Sequence, residues 1–123
     1  MARKKSRYLT DAELRLMEVL WDRGPSTVAD VVAALGTDLA YSTVLTTLRI
    51  LESKGYLRHT KEGRAFTYSA VVGRDEARDR AITHLLRRFF ENSPELLMLN
   101  LVESKKIDAE QLRRLRKRIE EKE

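Results

Sequence analysis

A predicted helix from about Ala40 to Ser53 has an unusual outward face, built from small hydroxylated side chains and a single arginine. Solvent-facing helices more often carry Glu and Lys, and β-branched Thr lowers helix propensity, so this pattern needs a reason other than solvation. Hydroxyls and threonine methyls suit the edges of base pairs, and arginine offers forked donors to a guanine or a phosphate. We therefore predict DNA contacts from Tyr41, Ser42, Thr43, Thr46 and Arg49.

The opposite face of the same helix is aliphatic and should be buried. On a wheel of about 100° per residue, Leu48 and Leu51 lie within about 40° of Val44. The helix must therefore pack on neighbouring elements by this face, which leaves the hydroxylated face outward.

A β-hairpin is predicted directly after this helix. Two short β-type runs, 56–60 and 65–69, flank Lys61-Glu62-Gly63-Arg64, a turn with Gly placed for positive φ. Lys61 and Arg64 make its tip basic and suit contacts with phosphates, which position a protein without reading sequence. Ordinary solvation of a turn is the alternative for these two charges.

Two helices are predicted before residue 40. The first begins at a capping box of Thr10 and Glu13 and runs to about Asp22, and its buried stripe is predicted to be Leu14, Met17, Leu20 and Trp21. The second begins at Ser26 or Thr27 and ends at Gly36. Three helices and a hairpin in about 70 residues are the order of a winged helix-turn-helix.

The chain after Gly73 is predicted to be entirely helical. One helix covers about 74–90, a second begins at Ser93-Pro94, and a third begins at Asp108 with Gln111 completing a capping box. Three amphipathic helices in some fifty residues can hardly close their own core, so we expect pairing with a second copy. The predicted dimerisation residues are Leu85, Leu86, Phe89, Phe90, Leu96, Leu97, Leu99, Val102, Leu112 and Leu115.

Length and composition limit the function further. The chain has 123 residues, a net charge of +5 and no cysteine, and its only histidines are His59 and His84. Thiolate zinc sites, disulfides and cysteine nucleophiles are therefore excluded, and we expect no metal, no cofactor and no enzymatic activity. No run of 18 apolar residues occurs, which predicts a cytoplasmic protein without membrane insertion. A basic cluster of Arg3, Lys4 and Lys5 is a further candidate for contact with the DNA backbone.

The predicted class is thus mainly α with a small β-hairpin: a winged helix-turn-helix at 1–72, followed by a helical dimerisation region at 73–123. Several separated motifs resemble the penicillinase and methicillin-resistance repressor family of bacterial winged-helix regulators. They are E-x-x-x-M-x-x-L-W from Glu13, T-V-x-T-x-L-x-x-L from Thr43, and K-G-x-L from Lys54 followed by E-G-R-x-F-x-Y from Glu62. The resemblance covers about residues 9–121.

The resemblance implies a homodimeric repressor on a palindromic operator, with β-lactam resistance genes as the type of target. In some members a regulatory protease cuts the dimerisation helices beside an Asn-Phe pair. The matching pair here is Asn100 and Leu101, and because Leu replaces the aromatic residue, the resemblance supports repression more firmly than cleavage. The copper-responsive branch carries a cysteine cluster that this chain lacks.

Two other function classes remain at the level of sequence. The winged helix could bind another protein through its third helix, which an absence of any duplex preference would favour. A small hydrolase or metalloenzyme is disfavoured because the chain has no cysteine and two separated histidines, no nucleophile, base and orienting group can be assembled, and no Gly-rich phosphate loop is present.

Overall fold

The computed structural model describes residues 8–36 and 39–122. The predicted backbone contacts of Arg3, Lys4 and Lys5 fall outside these residues. The chain divides into two compact units, with the break between Ala81 and Ile82. The predicted boundary between residues 72 and 73 lies just before the helix that crosses this break. The assignment of DNA binding to the part before it and dimerisation to the part after it stays a prediction.

The first unit contains three helices and a small sheet, and it also holds the first turns of a fourth helix. The elements in chain order are α1 (Asp11–Arg23), β1 (Ser26–Thr27), α2 (Val28–Leu35), α3 (Tyr41–Ser53), β2 (Leu57–Glu62), β3 (Ala65–Ala70) and α4 (Arg74–Phe89). The second unit contains the rest of α4 together with α5 (Pro94–Glu103) and α6 (Ala109–Lys122). The predicted class, mainly α with a small β-hairpin, is confirmed.

Helix α1 begins at the predicted capping box. The Thr10 amide donates to Glu13 Oε1 at 2.9 Å, and the Glu13 amide donates to Thr10 Oγ1 at 3.2 Å. The predicted burial of Leu14 is wrong, because this side chain is 39% exposed. Positions 13, 16, 17 and 20 form the buried stripe instead, since α2 and α3 pack on that face of α1 and leave Leu14 about 100° away from it.

The sheet has three antiparallel strands in the order β1-β3-β2. Strand β1 pairs with β3 through Ser26 opposite Tyr68 and Thr27 opposite Thr67. This strand was not predicted, because two residues are too short to show alternation and its existence depends on the arrival of β3 from far along the chain.

The hairpin turn is tighter than predicted. Strand β2 continues to Glu62, which lies opposite Ala65, so only Gly63 and Arg64 form the loop. Gly63 has φ 63 at the first loop position, where a two-residue hairpin turn favours glycine. The short loop carries Arg64 to the end of a rigid ribbon.

The start of α4 is attached to α1 by several contacts. The Trp21 indole N–H donates to the Val72 carbonyl at 2.9 Å, and the Arg74 guanidinium lies 5.2 Å from the Trp21 ring centre. Arg74 also bonds Glu18 at 2.7 Å and Asp22 at 2.9 Å. These contacts set the position at which the chain leaves the winged helix.

Helices α5 and α6 begin at the predicted caps. At the start of α5, Ser93 Oγ accepts a hydrogen bond from the Leu96 amide at 3.1 Å, and Pro94 occupies the first turn. At the start of α6, the Asp108 amide donates to Gln111 Oε1 at 2.9 Å, and the Gln111 amide donates to Asp108 Oδ1 at 2.8 Å. Neither α5 nor α6 has a buried residue in the single chain. In the part of the chain that the structure describes, no helix has the length and apolar character needed to cross a bilayer.

Candidate nucleic-acid interface

Helix α3 packs by its aliphatic face, as the sequence predicts. Val44, Leu48 and Leu51 are buried against α1, α2 and β2. Burying each of these side chains contributes about 1.5–3 kcal/mol, which is enough to fix which face of α3 points outward.

All five predicted DNA-contacting residues of α3 are exposed. They occupy its first three turns and are Tyr41, Ser42, Thr43, Thr46 and Arg49. Ser42, Thr46 and Arg49 fall within about 60° of one another on the helical wheel and form one stripe along the helix. Thr47 differs, because its hydroxyl donates back to the Thr43 carbonyl at 2.9 Å. All five residues are thus accessible, and their contact with DNA stays a prediction.

The hairpin of β2 and β3, which is the wing of the fold, presents its two predicted cations to solvent. Lys61 and Arg64 are both exposed, and Lys61 lies opposite Phe66 with its ammonium 5.9 Å from the ring centre. Phe66 is a partly exposed aromatic on β3, and it contacts the Lys61 ammonium across the hairpin. Both cations are therefore available to phosphates.

A hydrogen-bonded pair between α3 and the wing was missed at the sequence level. Glu52 Oε2 lies 2.6 Å from His59 Nδ1. The His59 ring packs edge-on against the Phe66 ring, with 5.0 Å between the ring centres, and at an oblique angle to the Tyr68 ring, with 5.7 Å between the ring centres. Glu52 is on a helix and His59 on a strand, so no single periodicity relates them.

Tyr68 is the buried member of this cluster. Tyr68 is buried in β3, and burial is the main cause that raises the pKa of its hydroxyl, with the Glu52 carboxylate adding to the effect. The positive charge of Arg49 acts in the opposite direction but does not outweigh burial. The phenol is therefore neutral throughout the physiological pH range.

An ion pair, which is largely buried, joins α1 to the C-terminal end of α3. Lys54 Nζ lies 2.7 Å from Glu13 Oε1, and the two side chains are only 10% and 7% exposed. Burial raises the pKa of Glu13, but the hydrogen bonds from Lys54 and the Thr10 amide, with the Lys54 charge, leave that pKa below its ordinary value. The sequence predicts a structural role for Glu13 only in the helix cap, and the pairing with Lys54 was not predicted.

The predicted dimerisation residues are poorly covered within one chain. Six of the ten are exposed, among them Phe89 at 66% and Leu99 at 56%. An open apolar groove of about 460 Å³ lies between α5 and α6, lined by Pro94, Glu95, Met98, Leu99, Val102 and Leu112. Asn100 is exposed and Leu101 half-buried, and both lie within helical α5.

The chain is similar to known proteins over nearly its whole length. A family model described as "Penicillinase repressor" matches residues 9–121. The penicillinase repressor of Bacillus licheniformis is 30% identical over 120 residues, which are 96% of this chain and 94% of that protein. The solution structure of the DNA-binding domain of the repressor BlaI matches with a TM-score of 0.52 and 33% identity, covering 60% of this chain and 93% of that one.

A structure with bound DNA is also similar. It is the solution structure of the Bacillus licheniformis BlaI monomeric form in complex with the blaP half-operator. The match has a TM-score of 0.50 and 33% identity, and it covers 60% of this chain and 93% of that one.

Proposed function

This chain belongs to the penicillinase repressor family and is a DNA-binding transcriptional repressor, and we propose that it acts as a homodimer on a palindromic operator. The observation that carries the proposal is the exposed hydroxylated face of α3 beside a basic wing, in a chain whose relative BlaI has been solved with a half-operator. The chain is not an enzyme, and docking of α3 on another protein is correspondingly disfavoured.

We infer that α3 and the wing contact different parts of the DNA. The residues along α3 enter the major groove, where Thr46 and Arg49 contact base edges. Lys61 and Arg64 contact phosphates and fix the register of α3 in the groove. Because phosphate contacts release counterions, the logarithm of affinity falls with the logarithm of salt by about 0.9 for each phosphate neutralised.

The homodimer is supported by apolar surface that one chain leaves open. Phe89 and Leu99 expose large side chains, and α5 and α6 bury no residue of their own. We take a second copy as the occupant of the α5–α6 groove, since a two-fold axis brings the uncovered apolar surfaces of two copies against each other. Two winged helices held in this way bind half-sites separated by about one helical turn, or a multiple of it.

The DNA site is tested by selecting bound sequences from random duplexes with the purified protein. We expect an inverted repeat whose half-sites obey that spacing. Recovery of no preferred sequence would contradict specific repression and favour a protein-binding role for α3. Genes of the β-lactam resistance type are the first targets to examine, given the name of the Bacillus licheniformis relative.

The dimer is tested with Leu99→Glu and a matched control, Val71→Glu. Both positions are exposed apolar residues, but Val71 lies in the winged-helix unit, outside the proposed interface. We expect Leu99→Glu to halve the mass in sedimentation and to lose the full operator while retaining a half-site, and Val71→Glu to stay dimeric. A dimeric Leu99→Glu would refute this interface.

Control by a regulatory protease at Asn100–Leu101 stays a prediction. The Asn100 carbonyl accepts hydrogen bonds from the Ser104 amide at 2.9 Å and the Ser104 hydroxyl at 2.6 Å. A protease needs extended backbone, so α5 must open locally before cleavage. We place this regulation, like the repression itself, in the cytoplasm, where the DNA partner is found.

A further inference from the structure

A cluster of contacts around Arg74 holds the first turn of α4 against α1. The Arg74 guanidinium donates to Glu18 Oε2 at 2.7 Å and to Asp22 Oδ1 at 2.9 Å, and it lies 5.2 Å from the Trp21 ring centre. We call these four residues the α1–α4 clasp. The Trp21 indole also donates to the Val72 carbonyl at 2.9 Å, so the clasp holds both the start of α4 and the backbone just before it.

Apolar packing by itself gives α4 little directional support. Within α4 the structure describes one buried side chain, the methyl group of Ala77, and Val72 is buried just before the helix. Further along α4, the Arg80 guanidinium lies 5.0 Å from the ring centre of the buried Tyr56. Apolar burial is non-directional, whereas hydrogen bonds have preferred angles. The direction in which α4 leaves the winged helix therefore depends on its polar contacts, and the clasp supplies those that reach α1.

Helix α4 connects the clasp to the proposed dimer interface without a break. It is continuous from Arg74 to Phe89, and Leu85, Leu86 and Phe89 near its end are among the predicted dimerisation residues. Its 16 residues span about 24 Å, so a tilt of about 10° at its start displaces its far end by about 4 Å. One base-pair step is about 3.4 Å long. A small change of direction at the clasp therefore corresponds to about one base pair of separation between half-sites.

We propose that the α1–α4 clasp determines which separation of operator half-sites this repressor accepts. The proposal rests on the homodimer and the palindromic operator proposed above. An operator with another separation requires α4 to leave each winged helix at a different angle, which breaks the contacts of Arg74 with Glu18, Asp22 and Trp21. Two exposed ion pairs and a cation–π contact together correspond to about a fivefold or larger change in an equilibrium. The clasp disfavours operators with the wrong separation by a factor of this size.

The test is Arg74→Met, with Arg78→Met as the matched control. Both variants lose one positive charge from α4, but the ion pair of Arg78 is with Asp75 of the same helix, at 3.5 Å. Affinities are measured at one salt concentration for the selected operator, for versions with base pairs inserted or removed between the half-sites, and for a single half-site. We expect Arg74→Met to reduce the preference for the best separation about fivefold or more, with a half-site affinity equal to that of Arg78→Met. We expect Arg78→Met to keep the preference of the wild type.

A second variant, Glu18→Gln with Asp22→Asn, removes the ion pairs from the α1 side and changes the net charge in the opposite direction. Both side chains are exposed, at 46% and 69%, so this variant should fold normally. It leaves Arg74 over the Trp21 ring, so we expect a smaller loss of preference, about twofold or more. Combined with Arg74→Met it should cause no further loss, because the contacts that it removes are already gone.

Two outcomes of these measurements would refute the proposal. One is an unchanged preference for one separation in both Arg74→Met and the α1 variant. The other is a loss of half-site affinity as large as the loss on the full operator, because the clasp would then act within one winged helix. A wild type that is monomeric, or that binds no duplex specifically, would instead refute the proposed function itself.

A measurement on the free dimer needs no operator. The chain has no cysteine, so Ala34→Cys places a single spin label on each copy at an exposed position of α2. The distance between the two labels is measured by pulsed electron paramagnetic resonance. We expect one narrow distribution of distances with the native clasp and with Arg78→Met, and a broader one with Arg74→Met. Equal widths in the three proteins would overturn the inference.

Discussion

The buried ion pair between Glu13 and Lys54 predicts a large and pH-dependent effect on stability. Glu13→Gln is the informative change, since glutamine keeps the capping box with Thr10 but removes the negative charge. At the observed separation of 2.7 Å the attraction is about 6 kcal/mol at an effective dielectric constant of about 20. Desolvation of both groups offsets much of this attraction in the wild type.

Removing one partner is more harmful than the net value of the pair, because the other charge stays buried without compensation. Such changes cost about 3–5 kcal/mol, and we expect about 3 here, since a tenth of the Lys54 side chain still reaches solvent. For a domain of this size that corresponds to a melting temperature about 12 °C lower. The double variant Glu13→Gln/Lys54→Met buries no charge and should recover most of the loss.

The assay is urea unfolding followed by the fluorescence of Trp21, the single tryptophan, which lies in α1. The pKa of Glu13 is lowered in the folded state, so its contribution is complete above the ordinary value of 4.5 and is lost as pH falls through the folded pKa. The difference between wild type and Glu13→Gln should therefore be constant at neutral pH and shrink below pH 4.5. A double variant no more stable than Glu13→Gln, or a difference unaffected by acid, would refute this reasoning.

Three further predictions concern the DNA surface and the start of α4. Arg49→Ala should cost about 1–3 kcal/mol of operator affinity and relax one base position in a gel-shift series, and an unchanged preference would remove Arg49 from readout. Lys61→Ala with Arg64→Ala should weaken all duplexes alike and reduce the salt slope by about 2, whereas a base-specific loss would contradict phosphate contact. Trp21→Phe leaves the Val72 carbonyl without its indole donor and should lower stability by about 1–3 kcal/mol in thermal denaturation followed by circular dichroism, and an unshifted melting curve would contradict this.

Much of the fold follows from local patterns. The caps at Thr10, Ser93 and Asp108 begin their helices where the sequence predicts, because a side-chain oxygen satisfies amides only three residues away. The aliphatic face of α3 is likewise a property of helical period alone. Leu14 shows the limit of this reasoning, since several faces of α1 are apolar and only the arrival of α2 and α3 selects the buried one.

In the candidate site, too, some features follow from local patterns in the sequence, and others depend on tertiary packing. The amino-acid sequence by itself determined that α3 has an outward hydroxylated face with Arg49, and that a basic hairpin follows it, because helical and strand periods relate residues close in the chain. Only the tertiary structure decided that Glu52 meets His59 and that β1 completes the sheet. These contacts join elements of different period across loops, and their partners are chosen by packing in three dimensions, which no local pattern records.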